Sequence, residues 1–155
     1  MRIAIACDHA GVDLKHEVAC LLRMEGFEVE DFGTDSHDSV DYPDYARAVV
    51  RALLDGDCDM GVLIDGTGIG MSITANRYPG IRAAVCTDSF MARIAREHND
   101  ANILCLGARV LGVGAALDIV STWIKTDFDG GRHARRVAKI DLPEEVTIPP
   151  FSTRL

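Results

Sequence analysis

The chain has 155 residues, 48% of them apolar and 26% charged, and a formal net charge of −8. These values are typical of a globular protein, and we expect residues 1–155 to form a single domain. The acidic balance argues against nucleic-acid binding, no apolar run reaches the ~20 residues that span a bilayer, and the N-terminus lacks a signal-peptide pattern. The five cysteines lack disulfide or zinc-ligand spacing, so we expect a cytoplasmic protein that contacts no membrane.

Apolar runs predict five strands that alternate with amphipathic helices. The strands are expected at residues 2–7, 27–31, 60–64, 81–86 and 103–106. The helices are expected at about 12–25, 43–55, 71–75, 89–96 and 112–124, with a last helix and a proline-containing tail from about residue 131. Such alternation is typical of βαβ units. The fold class is therefore α/β, with one five-stranded, mostly parallel sheet and helices on both faces.

Residues that follow the predicted strands are the first candidates for a site, because parallel sheets bind ligands beyond the carboxyl ends of their strands. This rule selects Asp8-His9, the turn after Asp65, Thr87-Asp88 and the segment 107–109. Cys7 and Cys86 also end strands, so they stay open as reactive groups.

The turn after the central strand carries glycines at alternate positions, Gly66, Gly68 and Gly70. That spacing leaves backbone N–H groups uncovered, as a turn that holds an anion requires. The dinucleotide fingerprint and the P-loop lysine are both missing, so a small phosphate or an enediolate oxygen fits this turn better than a nucleotide. Asp65, at the junction of strand and turn, is either a structural turn residue or an acid–base group.

Histidines and arginines supply the other candidate groups. His9 and His98 lie in polar runs, where an ordinary surface role competes with proton transfer or phosphate binding. Arg132 and Arg136 are four residues apart and share a helix face, so they could grip one phosphate, with Arg109 joining them. The alternative for the basic run is a solvated helix face.

Seven short motifs run in order along the chain: 8–11 (DHAG), 41–46 (DYPDYA), 66–70 (GTGIG), 75–76 (AN), 80–83 (GIRA), 96–102 (REHNDAN) and 107–110 (GARV). Together they resemble the ribose-5-phosphate isomerase B family, which also contains the galactose-6-phosphate isomerase subunits. The resemblance implies a Rossmann-like (flavodoxin-like) domain and a homodimer or dimer of dimers with active sites shared between subunits. It also implies aldose–ketose isomerisation of a phosphorylated sugar without metal or cofactor.

The resemblance further implies roles by matching position. His98 opens the sugar ring. The enediolate is stabilised by Thr67 and by the rest of its turn, Gly66, Gly68, Ile69 and Gly70. The sugar hydroxyls are held by Asp8, Tyr42 and Asn99. The phosphate is bound by His9, Arg132 and Arg136, some of them from the neighbouring subunit, with Arg109 nearby.

One position departs from the family. Most members have a cysteine before the Gly-Thr-Gly turn that moves the proton between the two carbons, and a second branch uses a glutamate a few residues along. This chain has Asp65 and Met71 there, so Asp65 is the matched candidate for the base. A carboxylate can abstract a proton next to a carbonyl, as in triosephosphate isomerase. An introduced substitution that traps substrate is the alternative.

The leading function is interconversion of ribose 5-phosphate and ribulose 5-phosphate through an enediolate. One alternative is an isomerase of a four- or six-carbon aldose phosphate. Two others are a non-catalytic sugar-phosphate-binding form and a flavodoxin-like binding or signalling domain. Intact His98, Thr67, Arg132 and Arg136 argue against the binding form, and a signalling domain leaves the C-terminal arginines unexplained.

Overall fold

A computed structural model describes residues 1–141, and the expected tail beyond them lies outside the described residues. The strands are β1 (Arg2–Cys7), β2 (Glu28–Asp31), β3 (Met60–Asp65), β4 (Ala83–Val85) and β5 (Ile103–Gly107). The helices are α1 (Val12–Met24), α2 (Tyr42–Leu54), α3 (Ile69–Ala75), α4 (Ser89–Asn99), α5 (Val113–Ile124) and α6 (Gly131–Val137). All strand pairs are parallel, in the order β2-β1-β3-β5-β4. The last two strands are exchanged relative to flavodoxin, which leaves β4 at the edge.

Side chains of the strands alternate between two apolar layers, one on each face of the sheet. The layer that packs on α1, α4 and α5 includes Ile3, Ile5, Val62, Ile64, Leu104 and Leu106. The layer that packs on α2 and α3 includes Ala4, Ala6, Leu63, Ile103 and Cys105. Strands that are buried on both faces have continuous apolar sequences, and the apolar runs of this chain therefore predicted the strands. The predicted fold class is confirmed.

The fourth strand is shorter than predicted. It covers only Ala83–Val85, and the two residues before it use their N–H groups outside the ladder. Ile81 N–H closes a turn on Tyr78 O at 3.1 Å, and Arg82 N–H donates to the Asn102 side chain at 2.8 Å. An apolar residue next to a strand therefore does not extend it here.

The fourth helix is longer than predicted, and this changes the position of His98. It continues to Asn99 and ends at Asp100, which has the left-handed φ of 47°. The Asp100 carboxylate lies 3.0 Å from Arg82 Nη2 and 2.9 Å from Arg96 Nη1, and these ion pairs hold the helix end. The polar run around His98 is thus the last helical turn and not a loop.

The direction of the helices decides which residues meet. The strands all end at one edge of the sheet, here called the carboxyl edge, and α4 and α5 run back from it to the opposite, amino edge. The 11 residues of α4 span about 15 Å, so its last turn lies at the amino edge. The segment before α6 joins that turn, since Asp129 N–H donates to Glu97 O at 3.0 Å. Within residues 1–141, no helix combines the length and apolar character needed to cross a membrane.

Candidate active site

The register of the sheet brings the ends of β1, β3 and β5 side by side. Cys7 pairs with Ile64, and Asp65 pairs with Gly107. Asp8 N–H donates to Ile64 O at 3.1 Å, so Asp8, which follows β1, lies next to Asp65, which ends β3. Their side chains are 6% and 5% exposed, respectively. Two buried carboxylic acids therefore lie at the carboxyl edge, where the sequence argument expected a site.

The Asp65 carboxylate occupies the glycine turn. Its Oδ1 accepts hydrogen bonds from Thr67 N–H at 2.7 Å and from Gly68 N–H, and its Oδ2 accepts one from Met71 N–H at 3.0 Å. The glycine spacing had predicted that backbone donors of this turn hold a bound anion, and some of them are used by Asp65 instead. The structural turn role of Asp65 is therefore observed, and its acid–base role stays a prediction.

Two glycines of the turn are required by geometry. Gly68 has φ 81°, a conformation in which a side chain is strained. A Cβ at Gly70 would lie 2.8 Å from ring carbons of Tyr42, the first residue of α2. The missing side chain at Gly70 thus allows the Tyr42 ring to pack on the turn.

Thr67 and Arg109 form the rim of the turn. Ile69 N–H donates to Thr67 Oγ1 at 3.3 Å, which leaves the hydroxyl hydrogen available to a ligand. Arg109 N–H donates to Gly66 O at 3.0 Å. The Arg109 side chain covers Gly66, with its Cδ 3.4 Å from the position of a Cβ there. The turn therefore offers one hydroxyl and one cation at its surface.

His9 lies at the same edge with a defined tautomer. Its Nδ1 accepts a hydrogen bond from Val40 N–H at 3.3 Å. Because a backbone N–H can only donate, the proton of the neutral ring is on Nε2. Asp8 Oδ1 accepts Ala10 N–H at 2.9 Å, which fixes the turn that carries both residues. His9 can thus donate from Nε2 to an anion.

A buried lysine that the sequence argument missed anchors the loop ending at Val40. Lys15 of α1 is 0% exposed, and its Nζ lies 2.8 Å from both Asp31 Oδ2 and Asp35 Oδ1 and 3.1 Å from Thr34 O. Burial acts to lower the pKa of Lys15, but hydrogen bonds to the two carboxylates outweigh it and raise the pKa above 10.5. The lysine therefore stays charged and ties the loop to α1.

The two cysteines at strand ends are poor nucleophiles. Burial raises the pKa of Cys7 to about 12 and that of Cys86 to about 11. The thiolate, which is the reactive form, is therefore scarce near neutral pH at both positions. Neither cysteine is therefore a good candidate for the base.

The remaining candidate groups meet in a second place, a cleft of about 250 Å³ at the amino edge. Its lining consists of His98, Asn99, His133, Arg136, Val137 and Ile140. The His98 and His133 rings are stacked, with centroids 4.1 Å apart and planes 9° from parallel. Arg132 Nε donates to His133 Nε2 at 3.2 Å, which attaches it to the same cluster.

The predicted site is therefore divided within one chain. The carboxyl edge holds Asp8, His9, Tyr42, Asp65, Gly66, Thr67, Gly68, Ile69, Gly70 and Arg109. The amino edge holds His98, Asn99, Arg132 and Arg136. Arg109 does not join the other two arginines in the same chain, because α5 carries the chain from one edge to the other between them.

A metal ion fits the amino-edge cluster poorly. Ligand atoms of His98, Asp129 and His133 lie within 4.8 Å of one another. The two rings are nearly parallel, however, so their nitrogen lone pairs cannot converge on one point as tetrahedral coordination requires. His133 Nε2 is also already used by Arg132. The cluster is better suited to proton transfer and anion binding.

Known proteins resemble the chain over nearly its whole length. Residues 3–140 match the family described as Ribose/Galactose Isomerase. The solved structure of ribose-5-phosphate isomerase B from Clostridium thermocellum is 60% identical, with a TM-score of 0.89 over 90% of this chain and 95% of that one. Ribose-5-phosphate isomerase B of Escherichia coli is 46% identical over 93% of this chain and 97% of its own length. D-erythrulose-4-phosphate isomerase of Pectobacterium atrosepticum is 42% identical over 90% and 93%, respectively. The chain therefore belongs to the ribose/galactose isomerase family.

Proposed function

We propose that the chain is an aldose–ketose isomerase that interconverts ribose 5-phosphate and ribulose 5-phosphate through an enediolate. The observation that carries the proposal is a buried carboxylate, Asp65, set in an anion-holding turn at the carboxyl edge of the sheet. Family membership supports the reaction class. The C. thermocellum and E. coli relatives have ribose 5-phosphate in their names, which supports the substrate.

Ring opening comes first, because ribose 5-phosphate closes a ring through O4 in water. The C1–O4 bond breaks, the proton on O1 leaves as the C1 aldehyde forms, and O4 gains a proton. We assign this proton exchange to His98, since imidazole both gives and takes a proton near neutral pH.

Proton transfer between carbons follows, with Asp65 as the base. It removes the C2 proton, the C1–C2 double bond forms, and O1 becomes an anion. A proton then moves from O2 to O1, and the base returns its proton to C1, which leaves a ketone at C2. A carboxylate has about four lone-pair sites. Two on Oδ1 and one on Oδ2 hold the turn, so a site on Oδ2 remains for this proton.

The other groups bind and orient the sugar in this proposal. Thr67 donates its hydroxyl hydrogen to the enediolate, a task made more important because Asp65 already uses two turn N–H groups. The sugar hydroxyls are assigned to Asp8, Tyr42 and Asn99. The phosphate is assigned to His9, Arg132 and Arg136, with Arg109 at the rim. Arginine suits a phosphate because its guanidinium can donate two parallel hydrogen bonds.

The division between the two edges leads us to propose a homodimer, or a dimer of dimers, with shared sites. In a two-fold dimer the amino edge of one chain can meet the carboxyl edge of the other, and the reverse contact forms a second equal site. Exposed apolar side chains near the edge strand β4 fit such a contact. They are Ile69 and Ile73 of α3 and Phe90 and Met91 of α4, each more than 40% exposed.

A panel of aldose phosphates tests the proposed reaction. The protein is incubated with ribose 5-phosphate, erythrose 4-phosphate and allose 6-phosphate, and ketose formation is followed. We expect the highest kcat/KM with ribose 5-phosphate. A higher value with erythrose 4-phosphate would assign the chain to a four-carbon sugar, as the name of the P. atrosepticum relative suggests. No ketose from any sugar would favour the binding form.

Location and domain organisation also belong to the proposal. All five cysteines are free thiols, four of them buried, which favours a reducing compartment such as the cytoplasm. We treat residues 1–155 as one domain, because the described residues share a single sheet and its two apolar layers.

A further inference from the structure

We propose that His133 is a positioning residue that holds the His98 imidazole in the orientation needed for opening the sugar ring. The two rings come from different helices, α4 and α6, and lie 4.1 Å apart and nearly parallel. His133 is 6% exposed, whereas His98 is only half-buried at the cleft. The His98 ring thus packs against the more deeply buried ring of His133. This inference rests on the proposed function of His98.

The hydrogen bonding of His133 keeps it neutral. The Arg132 Nε–H can only donate, so His133 Nε2 accepts, and the ring carries its proton on Nδ1. Most of the groups around the ring also favour its neutral form. Burial, followed by the nearby His98, Arg132 and Arg136, lowers the pKa of His133, and only Asp129 opposes this. The stacked pair therefore has one partner that stays uncharged near neutral pH.

A neutral partner matters because His98 must change its charge during ring opening. If both stacked rings were protonated, two cations would lie 4.1 Å apart beside two arginines. With His133 neutral, His98 takes up and releases the proton alone. The ring face of His133 also limits rotation of His98 about its side-chain bonds. Both effects act through His98, so His133 need not contact the sugar.

Comparison of the two directions of the reaction provides the test. Ribose 5-phosphate needs ring opening, whereas ribulose 5-phosphate is open-chain, because its O5 carries the phosphate and cannot close the five-membered ring. The open-chain aldose formed from ribulose 5-phosphate can leave the site before its ring closes, so loss of His133 should lower initial rates in the aldose direction much more than in the ketose direction. We expect His133→Ala to lower kcat with ribose 5-phosphate by about 10–100-fold, within the range of general acid–base effects. The initial rate with ribulose 5-phosphate should stay within about 3-fold, and KM should change little.

Two further variants separate the stack from mere folding. His133→Phe keeps a stacked ring without nitrogens and should recover most of the aldose-direction rate. His133→Leu fills the space without a flat ring and should resemble His133→Ala. Equal losses in both directions, or no loss in either, would overturn the proposal. So would a Phe variant as slow as the Leu variant with unchanged thermal stability.

A measurement without substrate separates this inference from the proposed function. Nitrogen chemical shifts of the histidine rings report tautomer and charge directly. At pH 7 we expect neutral His133 with its proton on Nδ1, and we expect the His98 ring signals to shift in His133→Ala and much less in His133→Phe. A protonated His133, or His98 signals that do not respond, would overturn the proposal even if the protein isomerised neither sugar. Inactivity of the unmodified protein on both sugars would instead refute the proposed function.

Discussion

Met71 N–H donates to Asp65 Oδ2 at 3.0 Å, a bond that ties the start of α3 to the last residue of β3. An asparagine at position 65 could still accept Thr67 N–H, but its amide hydrogens would face the Met71 donor. We expect Asp65→Asn to lower kcat by about 10²–10⁴-fold with little change in KM, because a positioned base contributes that much. The check is deuterium exchange at C2 of the sugar, followed by NMR. Exchange as fast as in the parent would assign the base elsewhere.

The Asp65→Cys variant separates the structural role of this residue from its chemical one. A thiol is a weaker acceptor than a carboxylate, so the N–H groups of Thr67, Gly68 and Met71 lose their partner. We expect a Tm lower by about 6–12 °C, because three bonds at roughly 1 kcal/mol each amount to about 3 kcal/mol. Activity with ribose 5-phosphate should be retained or increased, because the family resemblance implies a cysteine base at this position. An inactive but folded variant would contradict the assigned pocket.

The two assigned phosphate arginines should affect substrate binding and not turnover. Replacing Arg132 or Arg136 with alanine should raise KM by about 10–150-fold, which corresponds to a charge-assisted contact of about 1.5–3 kcal/mol. Arg135 lies on the same helix, is exposed and is not part of the cleft lining, so Arg135→Ala is the matched control. Equal KM values in all three variants would mean that the basic run is only a solvated face.

Mixed oligomers test the sharing of sites. In a dimer of one Asp65→Asn chain and one Arg136→Ala chain, one site receives both replacements and the other receives neither. Random mixing gives mixed dimers in about half of the population, so about a quarter of the parent activity should return. Mass spectrometry checks subunit exchange. Full exchange without recovery would show that Asp65 and Arg136 act from the same chain.

Because Lys15 forms ion pairs with acidic side chains, we expect the stability of the protein to depend on pH at both low and high pH. Hydrogen bonds from Lys15, then from His16, lower the pKa of Asp35 from 3.8, so its contribution is present above pH ~4 and lost as the pH falls. The raised pKa of Lys15 makes its contribution present below pH ~10.5 and lost as the pH rises above that. We expect Lys15→Met to lower Tm at pH 7 and to weaken the dependence of Tm on pH at both low and high pH.

Thermal melts between pH 3 and pH 11 check this expectation, and His16→Gln is the control. His16 also lies 3.2 Å from Asp35, but its side chain is exposed, so its removal should change Tm little. Lys15→Met with an unchanged Tm at pH 7 would show that the buried pair gives no net stability, as happens when desolvation offsets attraction.

The fold could be predicted because the local sequence pattern of each segment agrees with its place in the fold. Continuous apolar runs such as β1 and β3 are buried on both faces, and helices with one apolar face cover them. The structure differs from the predicted strand bounds where a side chain accepts a backbone N–H in place of a neighbouring strand. The Asn102 side chain does this for Arg82 N–H, just before β4. Such long-range partners have no local sequence signal.

The candidate residues could be selected from the sequence, but their grouping could not. The groups at the carboxyl edge other than Tyr42 end or follow a strand, and the topology then brings them together. His98 was expected in a polar run beyond the end of the fourth helix, whereas it lies in the last turn of α4, which ends about 15 Å from the start of that helix. Lys15 had one usable signal, a lysine between Leu14 and Val18 on the apolar side of α1.

If the candidate groups on opposite edges form one site between two chains, as proposed, the rate depends on the protein concentration. When each site needs two chains, the active species is the assembly, and the rate per chain falls once the protein is diluted below its dissociation constant. A sugar phosphate that contacts both chains binds the assembly and not the separated subunits. By mass action it shifts the equilibrium toward association. Substrate at concentrations well above its Kd therefore protects the diluted enzyme against its own dissociation.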